Sequence, residues 1–208
     1  RPEVVAQLCR DTTLGGEGTT VPSTVPETTE STTTTMPCME TTTATLPPET
    51  TTSLGEQGST SVPVTLECAG NGRTLYERRP ESQPWIREAV GTAEWTGVPV
   101  AALLERAGLR DDAVDVVFTG GDRGVEGGEE QSYARSLPPA ELRRDEVLLA
   151  YEMNGAPLLP QHGAPLRLVV PGWYGMTAVK WLTSITPITE PFDGYQQRVG
   201  YRLRTSED

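Results

Sequence analysis

An α+β domain of mixed sheets and short helices is predicted for the larger, C-terminal part of this 208-residue chain. Three observations predict it. Short stretches of alternating apolar and polar residues recur from Val64 to Ile188, one well-marked helical stretch interrupts them, and the regular strand-then-long-helix order of a doubly wound sheet is missing. In order along the chain, Val64 and Leu66 alternate with Thr65 and Glu67, a short strand that ends at Cys68. Residues 98–108 read as a helix: Pro99 suits its first turn, Val100, Leu103, Leu104 and Ala107 share one face, and Gly108 is placed to end it. Residues 114–118 read as a strand running into a turn, Thr119-Gly-Gly-Asp122, that exposes a carboxylate. A short helix at 138–144 and a strand at 147–153 follow, and Asn154-Gly155 is a two-residue hairpin turn into a strand at 156–159. Leu166, Leu168 and Val170 alternate with Arg167 and Val169, which puts Arg167 on the face opposite the leucines. Residues 176–182 and 184–188 read as closing strands.

Residues 1–62 differ in kind. They hold 19 threonines and no lysine, tryptophan or tyrosine, and eight acidic residues against two basic ones. So little apolar surface cannot offset the entropy of ordering, so the segment reads as disordered low-complexity sequence. A linker, an O-glycosylated stalk and aberrant translation all fit that composition. Residues 63–208 carry every tryptophan, tyrosine and phenylalanine, enough for a real core.

A net charge of −12 argues against a nucleic-acid partner, which would need a basic stripe. No apolar run approaches the ~20 residues that span a bilayer. The chain opens on Arg1 without a visible leader, which leaves the compartment open between the cytoplasm and, after leader removal, the periplasm or exterior. Cys9, Cys38 and Cys68 are odd in number and irregular in spacing, unlike a disulfide framework.

Two blocks carry the chemistry. In the first, a strand delivers Cys68 into Ala69-Gly-Asn71-Gly-Arg73, a turn that lets backbone approach a bulky group closely, with an arginine near the thiol. A thiolate suits a soft or high-valent metal better than magnesium or calcium. The second block, residues 162–181, holds the only histidine, His162, and the only lysine, Lys180, set in the apolar run 178–182. A charge buried there is costly unless an anion meets it. Taken alone, these residues also fit bland roles: a buried small thiol, a loop histidine, solvated cations, a turn-forming Asp122 and an edge Tyr133.

Together the blocks resemble the molybdopterin-binding domain of the sulfite oxidase family, over roughly residues 63–201. The resemblance implies that domain's fold and the molybdenum–molybdopterin cofactor, with Cys68 the one protein ligand to the metal. It makes Arg73 part of the substrate anion pocket and Tyr133 the active-site tyrosine. Asn71 in the same turn, Asp122 at the pterin, and His162, Arg167, Ala178, Val179 and Lys180 at the cofactor phosphate are implied as cofactor-binding. Trp95, in a further matching segment, reads as packing around the pocket. The implied activity is oxygen-atom transfer, sulfite to sulfate, in sulfur metabolism, with a separate electron acceptor such as a cytochrome. A sulfoxide reductase of the same family is the nearest alternative. An inactive cofactor-domain fragment and, outside the family, a hydrolase built from Cys68, His162 and Asp122 are the others.

The Thr-rich tract stands where the family has further strands and another active-site arginine. Residues 63–188 are thus expected to form the cofactor domain without its usual N-terminal part, and 189–208 to open a truncated C-terminal domain whose loss weakens the family's homodimer. No Cys-x-x-Cys-His occurs, so no c-type haem is attached to this chain.

Overall fold

The computed structural model describes residues 58–77 and 85–201. The expected disorder of the Thr-rich tract, with Cys9 and Cys38, falls outside them apart from its last few residues, as does the chain beyond Tyr201. The described part is the predicted α+β fold: eight antiparallel strands in two sheets with two short helices.

The first sheet has strand order β1 (Thr60–Glu67), β2 (Val90–Pro99), β5 (Leu148–Met153), β6 (Ala156–Pro157), with β7 (Arg167–Val169) also paired to β5. The second has the order β4 (Glu129–Leu137), β3 (Asp115–Glu126), β8 (Leu182–Ile188). The period of two along each strand builds the interior. Leu149 and Tyr151 of β5 and Leu168 of β7 join Val116, Phe118 and Leu137 of the second sheet in the main core. Ala150 and Val169 turn to the opposite face, with Val64, Ala93 and Trp95. Arg167 faces this second cluster, opposite Leu168 as the alternation predicts, with its guanidinium over the Trp95 ring.

Helix α1 is Val100–Ala107, two residues shorter at its start than the sequence reading. Val98 and Pro99 pair with Leu149 and Leu148 and so finish β2, because proline holds its predecessor extended. Gly108 ends the helix in the left-handed conformation, as expected. The second helix, α2, is Pro139–Leu142. Asn154 and Gly155 both have positive φ, 53° and 73°, as the predicted hairpin turn requires. The strand after it is only Ala156–Pro157, since Pro157 has no N–H to extend a ladder.

Two expectations are corrected. The stretch 176–182 is not a strand. A 3-10 turn, Gly175–Thr177, leads into an irregular path in which Trp181 has φ 49°, and only Leu182 enters β8. Its backbone bonds are spent singly: Val179 O accepts from Leu168 N, and Leu182 N donates to Leu166 O. Secondly, β3 does not stop at Phe118 in a turn but continues to Glu126 through a bulge. Thr119 pairs with Ala134 and Arg123 with Ser132, so Gly120, Gly121 and Asp122 together stand opposite the single residue Tyr133. Such bulges re-aim side chains, and this one sets Asp122 facing Tyr133's place in β4.

Gly97 marks the irregularity between β2 and β5, where a Cβ would overlap the Leu149 carbonyl. Gly97→Ala is therefore expected to lower unfolding stability by about 2 kcal/mol in a denaturant titration, because backbone cannot move aside as a side chain can.

Candidate functional site

The Cys68 loop is fixed by its own hydrogen bonds. Cys68 N donates to Ala89 O (2.8 Å), Asn71 N returns to Cys68 O (2.9 Å), and Gly70 N points at Cys68 Sγ (3.4 Å). Gly72, with φ 79°, reverses the chain into the 3-10 turn Arg73–Leu75 that Arg73 opens. The Asn71 amide is used within this loop: its Nδ2 donates to Glu67 (2.8 Å) and its Oδ1 accepts from Ala89 N (3.3 Å). It therefore holds the end of β1 to the approach of β2. Arg73 is half-buried and joins no ion pair among the described residues.

The 3-10 turn Gly175–Thr177 lies against this loop. A Cβ on Gly175 would come 3.4 Å from the Glu67 carbonyl, one residue before Cys68. From the other side, the Tyr133 hydroxyl donates to Met176 O at 2.6 Å. Burial pushes the Tyr133 phenol well above its ordinary range, the Arg135 charge only partly opposing it, so at neutral pH the hydroxyl stays protonated and serves as a donor.

Further along the same segment, Arg167 Nη2 donates to Ala178 O (3.0 Å) and Nη1 to His162 O (2.8 Å), with the guanidinium 4.7 Å from the Trp95 ring centre. Arg167 is 6% exposed, meets carbonyls, and has no carboxylate partner among the described residues. Desolvation lowers its pKa to about 10. Lys180 is not the buried cation that its apolar neighbours suggested. It is half-exposed, with Nζ 3.1 Å from Gln161 O and 4.1 Å from the Trp181 ring centre, because the irregular path turns its side chain outward while Arg167 takes the interior position. Its pKa is lowered first by desolvation and then by Arg167, with Asp122 opposing.

Asp122 closes the arrangement. A Cβ on Gly120 would collide with the Asp122 carboxylate and come 2.8 Å from Lys180 O, so the bulge packs directly on the lysine's backbone. On the far side, Gly163 (φ 102°) would place a Cβ 2.9 Å from the Lys180 side chain, which seats the 3-10 turn Pro160–His162 there. Residues 175–181 are thus a spine that touches the Cys68 loop, Tyr133, Arg167, the Asp122 bulge and the His162 turn. Tyr133, Asp122, Arg167, Ala178, Val179 and Lys180 are brought together along it with the His162 turn, and the Cys68 loop, which also holds Asn71 and Arg73, meets it at Glu67.

Sequence reasoning missed three features. Arg135, two residues after Tyr133 on the same strand face, is also 6% exposed. Thr177 is fully buried, and its hydroxyl has no hydrogen-bond partner among the described residues. The Met176 carbonyl orients Tyr133. Only the first had a legible signal, the i, i+2 spacing from Tyr133.

The residues present fit a large anionic cofactor. Asp122 Oδ1, Thr177 Oγ1 and Trp95 Nε1 are buried without hydrogen-bond partners among the described residues, which a polar ligand can supply. Arg167 is a desolvated cation without a counter-ion among the described residues. Among the described residues no group of three or more His, Cys, Asp and Glu converges as a metal cage.

Comparison with known proteins gives the same reading. The family model for the oxidoreductase molybdopterin binding domain matches residues 31–196. Mitochondrial sulfite oxidase of Rattus norvegicus is 40% identical over 147 residues, covering 68% of this chain and 26% of that protein. Sulfite oxidase of Arabidopsis thaliana is 39% identical over 153 residues (69% and 39%), and an NADPH nitrate reductase of Beauveria bassiana is 39% identical over 137 residues (65% and 15%). Among solved structures, the sulfane dehydrogenase SoxCD of Paracoccus pantotrophus matches with a TM-score of 0.59 and 29% identity, over 70% of this chain and 36% of that one. The chain spans well under half the length of these relatives. The family match nonetheless takes in most of the chain, including every residue that the spine draws together. This chain belongs to the oxidoreductase molybdopterin-binding domain family, and its cofactor is molybdenum carried by molybdopterin.

Proposed function

We propose that this domain oxidises sulfite to sulfate by oxygen-atom transfer and passes two electrons to a separate acceptor such as a cytochrome. Sulfite and water give sulfate, two protons and two electrons, and the bound cofactor supplies the two-electron centre for that exchange. The chain's own groups do the rest. Cys68 gives its sulfur to the metal from a loop that Asn71 keeps in place. Arg73 supplies positive potential for a small dianion, and the protonated Tyr133 hydroxyl, whose one proton rests on Met176 O until it turns toward the substrate, offers a hydrogen bond beside it. Asp122 accepts from the pterin, while Arg167, Lys180, His162 and the backbone at Ala178 and Val179 receive the phosphate. Residues 63–188 form the unit that does this, and 189–208 open a dimerisation domain.

The observation that carries the cofactor part is Arg167, a buried cation whose hydrogen bonds among the described residues all go to carbonyls. The sulfite part rests on the Cys68-Ala-Gly-Asn-Gly-Arg73 turn and on the 40% identity to a sulfite oxidase. Nitrate reduction is the second reading, because nitrate reductases stand at nearly the same identity. Protein from a cofactor-competent host is expected to carry molybdenum and to reduce ferricyanide when sulfite is added, without oxidising reduced viologen when nitrate is added. A molybdenum-free product refutes the cofactor assignment. Nitrate turnover without sulfite turnover replaces the substrate, and ester hydrolysis abolished by alkylating Cys68 would restore the hydrolase reading.

Tyr133→Phe is expected to keep its molybdenum and to lose about tenfold in kcat, since one hydrogen-bond donor at the reacting centre is removed. Its fold loses about 1 kcal/mol as Met176 O gives up a partner.

A further inference from the structure

Arg135 is buried, charged and unused by the reading above, although it lies on the same face of β4 as Tyr133. Its Nη1 donates to Gln196 O at 2.6 Å, its guanidinium carbon lies 6.0 Å from the centre of the Tyr201 ring, and its Nε is buried without a hydrogen-bond partner among the described residues. Like Arg167 it has no carboxylate partner among the described residues. A purely structural position here would be better filled by an apolar side chain, since a desolvated cation with an idle donor costs stability.

What surrounds it is the segment after β8. Residues Gln196–Gly200 form a π-helical turn that docks on β4 at Arg135 and Ser136. Next to the Arg135 contact, Gln197 accepts from Ser136 N (2.9 Å) and donates to Ser136 Oγ (2.8 Å). Tyr195 packs on the β3–β4 turn, where a Cβ on Gly127 would come 3.0 Å from its ring. The segment is therefore fastened to the strand that carries Tyr133, and Arg135 is the charged fastener. Its field opposes the burial that raises the Tyr133 phenol.

We propose that Arg135 is a positioning residue that ties the segment Gln196–Tyr201 to the Tyr133 strand and thereby sets the Tyr133 hydroxyl for the reaction. The proposal rests on the assignment of Tyr133 to the active site. Nothing in it requires Arg135 to touch substrate or cofactor.

The test is a double-mutant cycle on the molybdenum-loaded protein with sulfite as substrate. Arg135→Gln is expected to keep its molybdenum, to change KM for sulfite by less than about twofold and to lower kcat about tenfold. Arg135→Lys, which keeps the charge and can still reach Gln196 O, recovers most of that loss. In the Tyr133→Phe background Arg135→Gln has little further effect, because the residue it acts through is gone. Additive losses, a change confined to KM, or an unchanged kcat overturns the proposal.

A second measurement needs no turnover. The Ser136 amide has Gln197 Oε1 as its acceptor, so its hydrogen exchange reports seating of the segment. In Arg135→Gln it is expected to exchange about tenfold faster, with Arg135→Lys near wild type. Unchanged exchange at Ser136 overturns the fastening role. If the wild-type protein oxidises no sulfite, the proposed activity fails and with it the link to Tyr133, while the exchange result still decides whether Arg135 fastens the segment. Should Arg135→Gln not fold, Gln197→Ala loosens the same segment from the other side, and the same exchange and kcat readouts apply, with unchanged values counting against the proposal.

Discussion

Cys68→Ser protein, expressed beside wild type in a cofactor-competent host, is expected to lose sulfite oxidation by about a thousandfold or more, roughly 4 kcal/mol of barrier. Serine is nearly the size of cysteine, so the loop bonds Cys68 N to Ala89 O and Asn71 N to Cys68 O survive, and the thermal midpoint should move little. What changes is the donor atom. A neutral alcohol is a far poorer ligand than a thiolate for a soft or high-valent metal, and among the described residues no cluster of other ligand side chains stands by to replace it. Molybdenum content measured on the purified proteins should fall with activity. Equal molybdenum in both would remove Cys68 from the metal and leave it a structural thiol.

The second large effect is expected at Arg167. Its pKa near 10, well below the ordinary guanidinium value, means that the cofactor-free fold holds this charge at a cost of about 3 kcal/mol at neutral pH. The sign follows from proton counts: between pH 10 and the ordinary guanidinium pKa the unfolded chain binds the extra proton, so stability from this group rises with pH across that window and is lowest below it. A bound dianionic phosphate reverses the penalty, so cofactor loading should raise the unfolding temperature at pH 7 and do so less as pH passes 10. Arg167→Met keeps the volume but removes the charge and leaves the His162 and Ala178 carbonyls unpaired, at about 1 to 3 kcal/mol each. It is expected to purify with at least about tenfold less molybdopterin than wild type, read from the fluorescence of the released, oxidised pterin. Arg167→Lys, which restores charge without the planar fork, should recover the cofactor only in part. Full cofactor content in Arg167→Met would exclude it as the phosphate seat.

How much of this was legible in the sequence follows from which forces are local. The β7 alternation placed Arg167 opposite Leu168 correctly because period two is a property of the strand itself. The Asn154-Gly155 turn was legible for the same reason. The extent of β3 was not: Gly120 and Gly121 announce a break in any local reading, and only pairing with β4 on one side and β8 on the other carries the strand past them. The interior of 176–182 looked like a strand because its residues are apolar, yet their backbone bonds go singly to Leu168, Arg167 and Gly163. The candidate site residues were read from the resemblance to a family, with the single histidine and single lysine the local signal for the second block. Their division of labour was hidden, since only packing decides that Arg167 goes inside and Lys180 stays half outside.

The segment 175–181 orients Tyr133 through the Met176 carbonyl and Arg167 through the Ala178 carbonyl. Main-chain oxygens are common to all twenty residue types. Evolution can therefore rewrite the letters at 176 freely so long as the count stays constant, whereas one added or deleted residue would misalign the tyrosine and the arginine in a single stroke.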